Sequence, residues 1–286
     1  MERYFTLAGS IVRVTGENLD FHEDLQSLDG FRVPVQDADI RMHFQPVGEL
    51  PAPEGTQVFV DGGRQVFSCA DGIVTYVGSV AEDLSYAYMR LLRHGDRIDV
   101  QVKQTAQPLR ITSRHILTAL EVEHRSLENQ GFVLHASCIN HQGSAIVFTA
   151  PSGTGKSTQA DLWKTHRGAE IINGDRIMLQ RQDEGFVIRG IPFSGSSGIS
   201  ENRVLPLRAV VYLHQAPENS VRYLRGAEAF RRVWEGCSVQ VWNRTDMERC
   251  MELVMQLVTN VPVLELKCTP DAVAVETLEA TLDQWR

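Results

Sequence analysis

The segment Ala150–Thr158 constrains this chain more than any other, because it reads Ala-Pro-Ser-Gly-Thr-Gly-Lys-Ser-Thr. An apolar, strand-like run at 144–149 precedes it, and a helical pattern follows to about His166, with Gly168 just beyond. Strand, glycine-rich loop and helix in this order are typical of the phosphate-binding pattern [AG]-x4-G-K-[ST], known as Walker A. The alternative is a coincidental glycine-rich turn, and the flanking strand and helix weigh against it.

The residue types of the loop predict a role for each position. Gly153 and Gly155 lack a Cβ, which lets backbone N–H groups converge on phosphate oxygens at the positive end of the helix. Lys156 is one of only four lysines in the chain, and a slim ammonium there suits the β- and γ-phosphates of a nucleotide. The hydroxyl of Ser157 suits Mg²⁺. The predicted nucleotide-binding residues are Ser152, Gly153, Thr154, Gly155, Lys156, Ser157 and Thr158.

A carboxylate follows the loop at Asp175, directly after the apolar pair Ile171-Ile172 and the dipeptide Asn173-Gly174. A buried strand that ends here would place this carboxylate where it can hold Mg²⁺ directly or through water. Because Asn-Gly is also a strong turn signal, an ordinary turn residue is the alternative for Asp175.

His135 lies in the apolar run before the loop strand. Such a histidine is often a satisfied core residue. A β-hairpin turning through residues 140–143 would instead bring it near the start of the loop. There it could assist an acid–base carboxylate or face the transferred phosphoryl group.

The first part of the chain differs from the rest. Residues 1–110 carry sixteen acidic and ten basic residues, alternate in the manner of β-strands, and contain no motif of chemistry. The sequence therefore predicts a β-rich N-terminal domain at 1–110, which we interpret as a recognition or assembly domain. A phosphate-loop domain is predicted at 111–286, with one helix from Ser113 to Gln130 as the hinge between them.

Composition narrows the class of protein. Hydrophobic residues make up 43% and charged residues 22%, as in an ordinary globular chain, and a net charge of −8 argues against a nucleic-acid partner. The N-terminus lacks an apolar signal core, and no apolar run approaches membrane-spanning length. Five dispersed cysteines indicate buried free thiols in a reducing compartment. A cytoplasmic protein without a membrane partner is therefore expected.

The stretch LHASCINHQGSAIVFTAPSGTGKSTQADLW, with INGDR further on, resembles the catalytic core of the HPr serine kinase/phosphorylase family. It is also similar to the distantly related ATP-type phosphoenolpyruvate carboxykinases, and it looks most like uncharacterised HPr-kinase-like proteins. The resemblance covers about residues 131–285. It implies an α/β fold (α+β, with a mixed sheet) in which a β-hairpin is paired with the phosphate loop.

The resemblance also implies roles for single residues. His135 matches the histidine upstream of that family's loop, and Asp175 matches the second of two consecutive acidic residues that serve acid–base work and Mg²⁺ binding. The first acidic position is Gly174 here, so one carboxylate serves both purposes or the base lies elsewhere. The segment 190–195 matches a loop that would line the acceptor site. Arg203 is the candidate for a charge-stabilising cation, with a solvated surface arginine as its alternative.

The leading functional prediction is a kinase that uses ATP and Mg²⁺ to phosphorylate a serine-type hydroxyl in a peptide or protein. Catalytic candidates are Asp175, His135, Lys156 and Arg203, and the candidate metal ligands are Ser157 and Asp175. Two alternatives stay open: a nucleotide-binding regulatory or assembly protein with little turnover, and a kinase for a small molecule such as free serine. A homo-oligomer is compatible with each of these.

Overall fold

The computed structural model describes residues 2–21, 26–79, 83–104 and 108–284. By its internal contacts the chain divides into two compact units, Met1–Val122 and Glu123–Arg286. Both α-helices and mixed β-sheets are present, so the chain belongs to the α/β class in its mixed-sheet form, as the sequence predicts.

The N-terminal unit contains an eight-stranded sheet in the order β1-β2-β4-β9-β8-β7-β6-β5, with β3 and β10 forming a separate parallel pair. The strands are β1 Arg3–Leu7, β2 Ser10–Gly16, β3 Leu19–Phe21, β4 Ile40–Val47, β5 Thr56–Asp61, β6 Arg64–Cys69, β7 Gly72–Gly78, β8 Ala87–His94, β9 Arg97–Lys103 and β10 Leu109–Ile111. The helices are α1 Gln26–Asp29 and α2 Ser113–Leu120. The β-rich character predicted for this part of the chain is therefore confirmed.

The C-terminal unit is built on a nine-stranded sheet. Seven strands follow the order β12-β11-β14-β15-β16-β19-β17, and the two short strands β13 and β18 each pair with β11. Its strands are β11 Gly131–His141, β12 Ser144–Thr149, β13 Glu170–Asn173, β14 Arg176–Gln182, β15 Gly185–Gly190, β16 Val204–Gln215, β17 Ser220–Leu224, β18 Cys237–Ser238 and β19 Val263–Cys268. Its helices are α3 Val122–Glu128, which begins at the last residue of the first unit, α4 Lys156–Arg167, α5 Gly226–Trp234, α6 Arg244–Asn260 and α7 Ala272–Asp283.

Two features of this sheet determine where the candidate site lies. The antiparallel hairpin of β11 and β12 pairs Ala136 with Thr149, which confirms the predicted hairpin. Strands β12, β16 and β19 run parallel to one another, so their carboxyl ends lie at one edge of the sheet. Ligands of α/β proteins bind at such an edge.

Alternate residues of the central strands enter two separate cores. Leu134, Val147 and Val210 face the core that contains residues of α5 and α6. Ile146 and Val211 face the core that contains residues of α4 and α7. Because helices cover both faces of the sheet, these strands are apolar at successive positions, which explains the unbroken hydrophobic runs in the sequence.

The single helix predicted from Ser113 to Gln130 is wrong. The chain breaks at Glu121, which takes a left-handed conformation (φ 51°, ψ 63°) between α2 and α3. Its buried carboxylate lies 2.8 Å from the Arg93 guanidinium of β8. The N-cap of α2 is Thr112, whose hydroxyl accepts a hydrogen bond from the His115 backbone N–H.

The division by contacts falls between Val122 and Glu123, further along the chain than the predicted boundary at 110. Strand β10 pairs with β3 of the N-terminal unit, so the segment after residue 108 is still part of that unit. Independent folding of the two units stays a prediction.

All five cysteines are free thiols, as predicted, but only Cys138, Cys250 and Cys268 are buried. Cys69 and Cys237 are partly accessible, which corrects the prediction that all five are buried. Among the residues that the structure describes, no helix is both long and apolar enough to cross a membrane.

Candidate functional site

The loop between β12 and α4, residues 150–155, has the backbone geometry that its glycines permit. Gly153 (φ +77°) and Gly155 (φ +111°) both occupy the positive-φ region, which glycine enters without steric cost. Gly155 is also the N-cap of α4, and no side chain caps the helix there. The first N–H groups of α4 are therefore left for an anion, which the positive end of the helix dipole favours.

Lys156 is 7% exposed, and its ammonium Nζ donates to the carbonyl oxygens of Ala150 (3.0 Å) and Pro151 (3.3 Å). Burial lowers the pKa of Lys156, and the negative charge of Asp175 partly offsets that effect. The two carbonyl bonds hold this cation inside the loop, where it can meet a phosphate without first being ordered.

His135 and Asp175 meet beside the loop, with His135 Nε2 3.5 Å from Asp175 Oδ1. The pairing of β11 with β14 sets His135 opposite Arg176, the residue after Asp175. The β11–β12 hairpin and this strand pairing therefore place His135 beside both the loop and Asp175. Fully buried Asn173 fixes the turn before β14, since its Oδ1 accepts from the backbone N–H groups of Asp175 (2.8 Å) and Arg176 (2.9 Å). The Asn-Gly-Asp turn is thus present, and it also presents Asp175.

One polar cavity of about 310 Å³ unites residues that the sequence predicted separately; we call it the loop cavity. It is lined by His135, Ser152, Gly153, Gly155, Lys156, Ser157, Thr158, Gly174 and Asp175. Eight of these nine are predicted catalytic, metal-binding or loop residues, and the exception is Gly174. His135 therefore faces the site rather than the core, and its side chain is 39% exposed.

The cavity offers oxygen ligands of the kind that Mg²⁺ prefers, namely the Ser157 hydroxyl and the Asp175 carboxylate. Among the described residues, no group of three or more His, Cys, Asp or Glu side chains could hold a metal ion. The Ser157 hydroxyl and the Asp175 carboxylate nevertheless fit Mg²⁺, which is commonly held by one or two protein ligands together with phosphate oxygens and water.

Burial of the imidazole, followed by the positive charge of Lys156, lowers the pKa of His135 below its ordinary value. As the pH falls below about 6.5, His135 takes up a proton in the unfolded chain but not yet in the folded chain. The free energy of unfolding therefore falls as the pH drops below about 6.5. We expect His135→Asn to lose less stability than the wild type between about pH 7.5 and pH 5.5, measured by urea unfolding. The matched variant His166→Asn, at an exposed position, should behave as the wild type; equal losses in all three chains would contradict this assignment.

Arg203 does not line the loop cavity. Its Nη1 lies 3.3 Å from Glu170 Oε1, and both side chains are 46% exposed. The geometry therefore gives no support to the predicted charge-stabilising role. The arginine beside the carboxylate is Arg176, whose Nε lies 3.5 Å from Asp175 Oδ2 and whose guanidinium lies over the Phe193 ring at 5.3 Å.

The segment 190–198 packs directly on the turn that carries Asp175. A Cβ built on Gly195 would lie 2.7 Å from Asp175 Cβ, and one built on Gly174 would lie 2.1 Å from Ser197 Oγ and 2.6 Å from Ser197 Cβ. Ser197 is held there because its hydroxyl donates to Ser194 O (2.7 Å) and accepts from the Ile199 backbone N–H (3.2 Å). Glycine at position 174 is thus required by the close approach of this segment.

We expect Gly174→Ala to lower the melting temperature, because overpacking of this kind costs about 1–3 kcal/mol. The double variant Gly174→Ala/Ser197→Gly should recover part of that loss, since it removes the atoms that clash. Gly48→Ala is the control, as a Cβ there would meet nothing within 4 Å. A Gly174→Ala variant that melts with the wild type would show that the packing is looser than described.

A second cavity of about 620 Å³ adjoins the first and shares Gly153, Gly155 and Thr158 with it; we call it the neighbouring cavity. Its other lining residues are Thr154, Gln159, Leu213, Gln215, Ala216, Cys268, Thr269 and Pro270. Sequence reasoning missed all of these except Thr154, because they are brought together only where α4 lies beside the carboxyl ends of β16 and β19.

Comparison with known proteins gave one family. No curated protein matches the chain. Among solved structures, the HPr(Ser) kinase/phosphatase from Coxiella burnetii is similar over 52% of this chain and 94% of its own, with 13% identity and a TM-score of 0.32. The family model described as SynChlorMet cassette protein ScmC matches residues 100–283, which is more than half of the chain. The chain therefore belongs to the SynChlorMet cassette protein ScmC family.

Proposed function

We propose that this chain is a phosphotransferase with an HPr-kinase-like phosphate-loop core, which uses ATP and Mg²⁺ to phosphorylate a serine-type hydroxyl. The observation that carries the proposal is the loop cavity, in which Lys156, Asp175 and His135 all line the same space as the glycine loop. A buried cation, a carboxylate and an imidazole beside free helix N–H groups are the groups that phosphoryl transfer requires.

The loop would bind the polyphosphate through the N–H groups at the start of α4 and through the Lys156 ammonium. Ser157 and Asp175 would hold Mg²⁺, which neutralises charge on the β- and γ-phosphates when bound. Lys156 is already buried inside the loop, so its ammonium has only to exchange the two carbonyl oxygens for phosphate oxygens when the nucleotide binds.

The proton of the acceptor would go to the pair formed by Asp175 and His135. In the transfer, the acceptor oxygen forms a bond to the γ-phosphorus, the bond from that phosphorus to the bridging oxygen breaks, and ADP leaves. The hydroxyl proton moves to the Asp175 carboxylate or to His135 Nε2, which lie 3.5 Å apart. The lowered pKa of His135 keeps its imidazole neutral near pH 7 and so able to accept a proton.

The acceptor would approach past the segment 190–198, which packs against Asp175 and carries Phe193 beneath the Arg176 guanidinium. A peptide, a protein or a small molecule such as free serine would each offer the required hydroxyl. The N-terminal unit, with its broad β-sheet and no loop of this kind, would then serve recognition or assembly, and the protein would act in the cytoplasm.

The test is transfer of labelled γ-phosphate from ATP, in the presence of Mg²⁺, to three kinds of acceptor offered separately. These are a serine-containing peptide mixture, the same mixture with alanine at every serine, and free serine. We expect labelled product from a serine-bearing acceptor and none from the alanine mixture. If ATP binds but no acceptor is labelled and no ADP forms, the kinase assignment is wrong.

That last outcome would favour the second candidate, a nucleotide-binding regulatory or assembly protein with little turnover. The observation on its side is position 174, where Ser197 fills the space that a second carboxylate would need. Nucleotide binding with a change in oligomeric state and without ADP formation would support it.

A further inference from the structure

We propose that Ser197 is a phosphoryl acceptor within the chain itself, so that the protein transfers the γ-phosphoryl group of ATP to its own Ser197 hydroxyl. This inference rests on the proposed function and gives that activity a modification site on the same chain. It is carried by the position of the segment 190–198 against the Asp175 carboxylate, by the contact of the Ser197 hydroxyl with Gly174, and by the exposure of Ser197.

The backbone beside Ser197 lies directly against the carboxylate that would receive the proton of an acceptor. A Cβ built on Gly195 would lie 3.1 Å from Asp175 Oδ1. The same oxygen faces His135, whose Nε2 is 3.5 Å away. The segment therefore passes the proposed base at the place where an acceptor has to approach it, and it carries a serine two residues further along.

The Ser197 hydroxyl is in contact with Gly174, the residue before Asp175. A Cβ built on Gly174 would lie only 2.1 Å from Ser197 Oγ, so the hydroxyl takes space that any side chain at position 174 would fill. Gly174 and Asp175 both line the loop cavity, together with Lys156. The hydroxyl therefore lies at the wall of the cavity in which the γ-phosphate is proposed to bind.

Ser197 is an exposed residue at the end of the short turn Gly195–Ser197. Its hydroxyl donates to Ser194 O (2.7 Å) and accepts from the Ile199 backbone N–H (3.2 Å), and at an exposed position such bonds exchange readily with other partners. Gly195 (φ +54°) and Gly198 (φ +67°) flank the turn in conformations that glycine adopts without steric cost. The backbone freedom of these glycines lets the hydroxyl move from Ser194 O to a phosphate.

The transfer balances with one chain and one nucleotide. Ser197 Oγ forms a bond to the γ-phosphorus, the bond from that phosphorus to the β–γ bridging oxygen breaks, and its electron pair leaves with ADP. The hydroxyl proton passes to the Asp175 carboxylate or to His135. A counter-charge for the new phosphate is at hand in Arg176, whose guanidinium lies over the ring of Phe193 in the same segment at 5.3 Å.

The experiment incubates the full chain with labelled ATP and Mg²⁺, without an external acceptor, and maps the label by mass spectrometry of peptides. We expect one phosphoryl group per chain, on residue 197. Ser197→Ala should lose the label, whereas Ser197→Thr should carry it as phosphothreonine because the hydroxyl is kept. Ser200→Ala, on the same loop, is the control and should be labelled as the wild type is. The melting temperature of each variant with and without nucleotide shows that it is folded and binds ATP.

Transfer within one chain is tested by mixing the wild type with an affinity-tagged Asp175→Asn chain. The tagged chain should stay unlabelled, because its Ser197 packs on the turn of an inactive site. Label on the tagged chain, or on a residue other than Ser197, would overturn this inference.

An external serine-bearing acceptor offered in parallel separates this inference from the proposed function. If that acceptor is labelled while residue 197 is not, the inference is wrong and the kinase assignment stands. If no acceptor is labelled and no ADP forms, the proposed function fails and this inference with it.

Discussion

Lys156→Ala should remove most of the thermal stabilisation that the chain gains from ATP and Mg²⁺. In the wild type, a ligand at about 100 times its dissociation constant adds roughly 2.7 kcal/mol to the free energy of unfolding. The variant lacks the buried ammonium that the Ala150 and Pro151 carbonyls hold in the loop, so the polyphosphate loses its main cationic partner. The measurement is the melting temperature with and without saturating nucleotide.

Lys164→Ala is the matched control, because Lys164 lies on the same helix but is exposed near its C-terminal end. Its nucleotide-dependent shift should equal that of the wild type. A wild-type melting curve that does not move under saturating ATP and Mg²⁺ would contradict the nucleotide assignment altogether.

Asp175→Asn should leave the fold intact and reduce phosphoryl transfer by about 100-fold or more, as expected for loss of a general base and metal ligand. The amide is nearly isosteric with the carboxylate. The partners of Asp175, His135 and Arg176, are each 3.5 Å away at partly exposed positions, so little stability depends on its charge.

The melting temperature and the rate of ADP formation with a serine-bearing acceptor are measured on the same preparation. Asp161→Asn, at an exposed position on α4, serves as the control and should transfer phosphate at the wild-type rate. If Asp175→Asn transfers phosphate at the wild-type rate, Asp175 serves only as a turn residue and the catalytic assignment is wrong.

Local signals in the sequence predicted the parts of the site that are local in the fold. The glycines of the loop, the lysine at the start of α4 and the hairpin turn before Ser144 each depend on a few neighbouring residues. The meeting of His135 with the loop followed from that hairpin, because pairing of β11 with β12 leaves few alternatives for its register. Such patterns can be read from one segment alone.

Features that depend on distant segments were missed. At the break between α2 and α3, the buried Glu121 carboxylate lies 2.8 Å from the Arg93 guanidinium of β8, a contact that residues 113–130 alone do not predict. The sequence predicts a charge-stabilising role for Arg203, yet its guanidinium is paired with Glu170. The neighbouring cavity is built from α4, β16 and β19, which are separated by long stretches of chain. Tertiary pairing, rather than local propensity, decides each of these.

The most direct test of the account is a crystal structure of the full chain with Mg²⁺ and a non-hydrolysable ATP analogue. The account predicts phosphates along Gly153–Ser157, with the Lys156 ammonium moved from the Ala150 and Pro151 carbonyls onto the phosphate oxygens. The γ-phosphate should face Asp175 and His135. Phosphates bound elsewhere, or a γ-phosphate turned away from that pair, would contradict it.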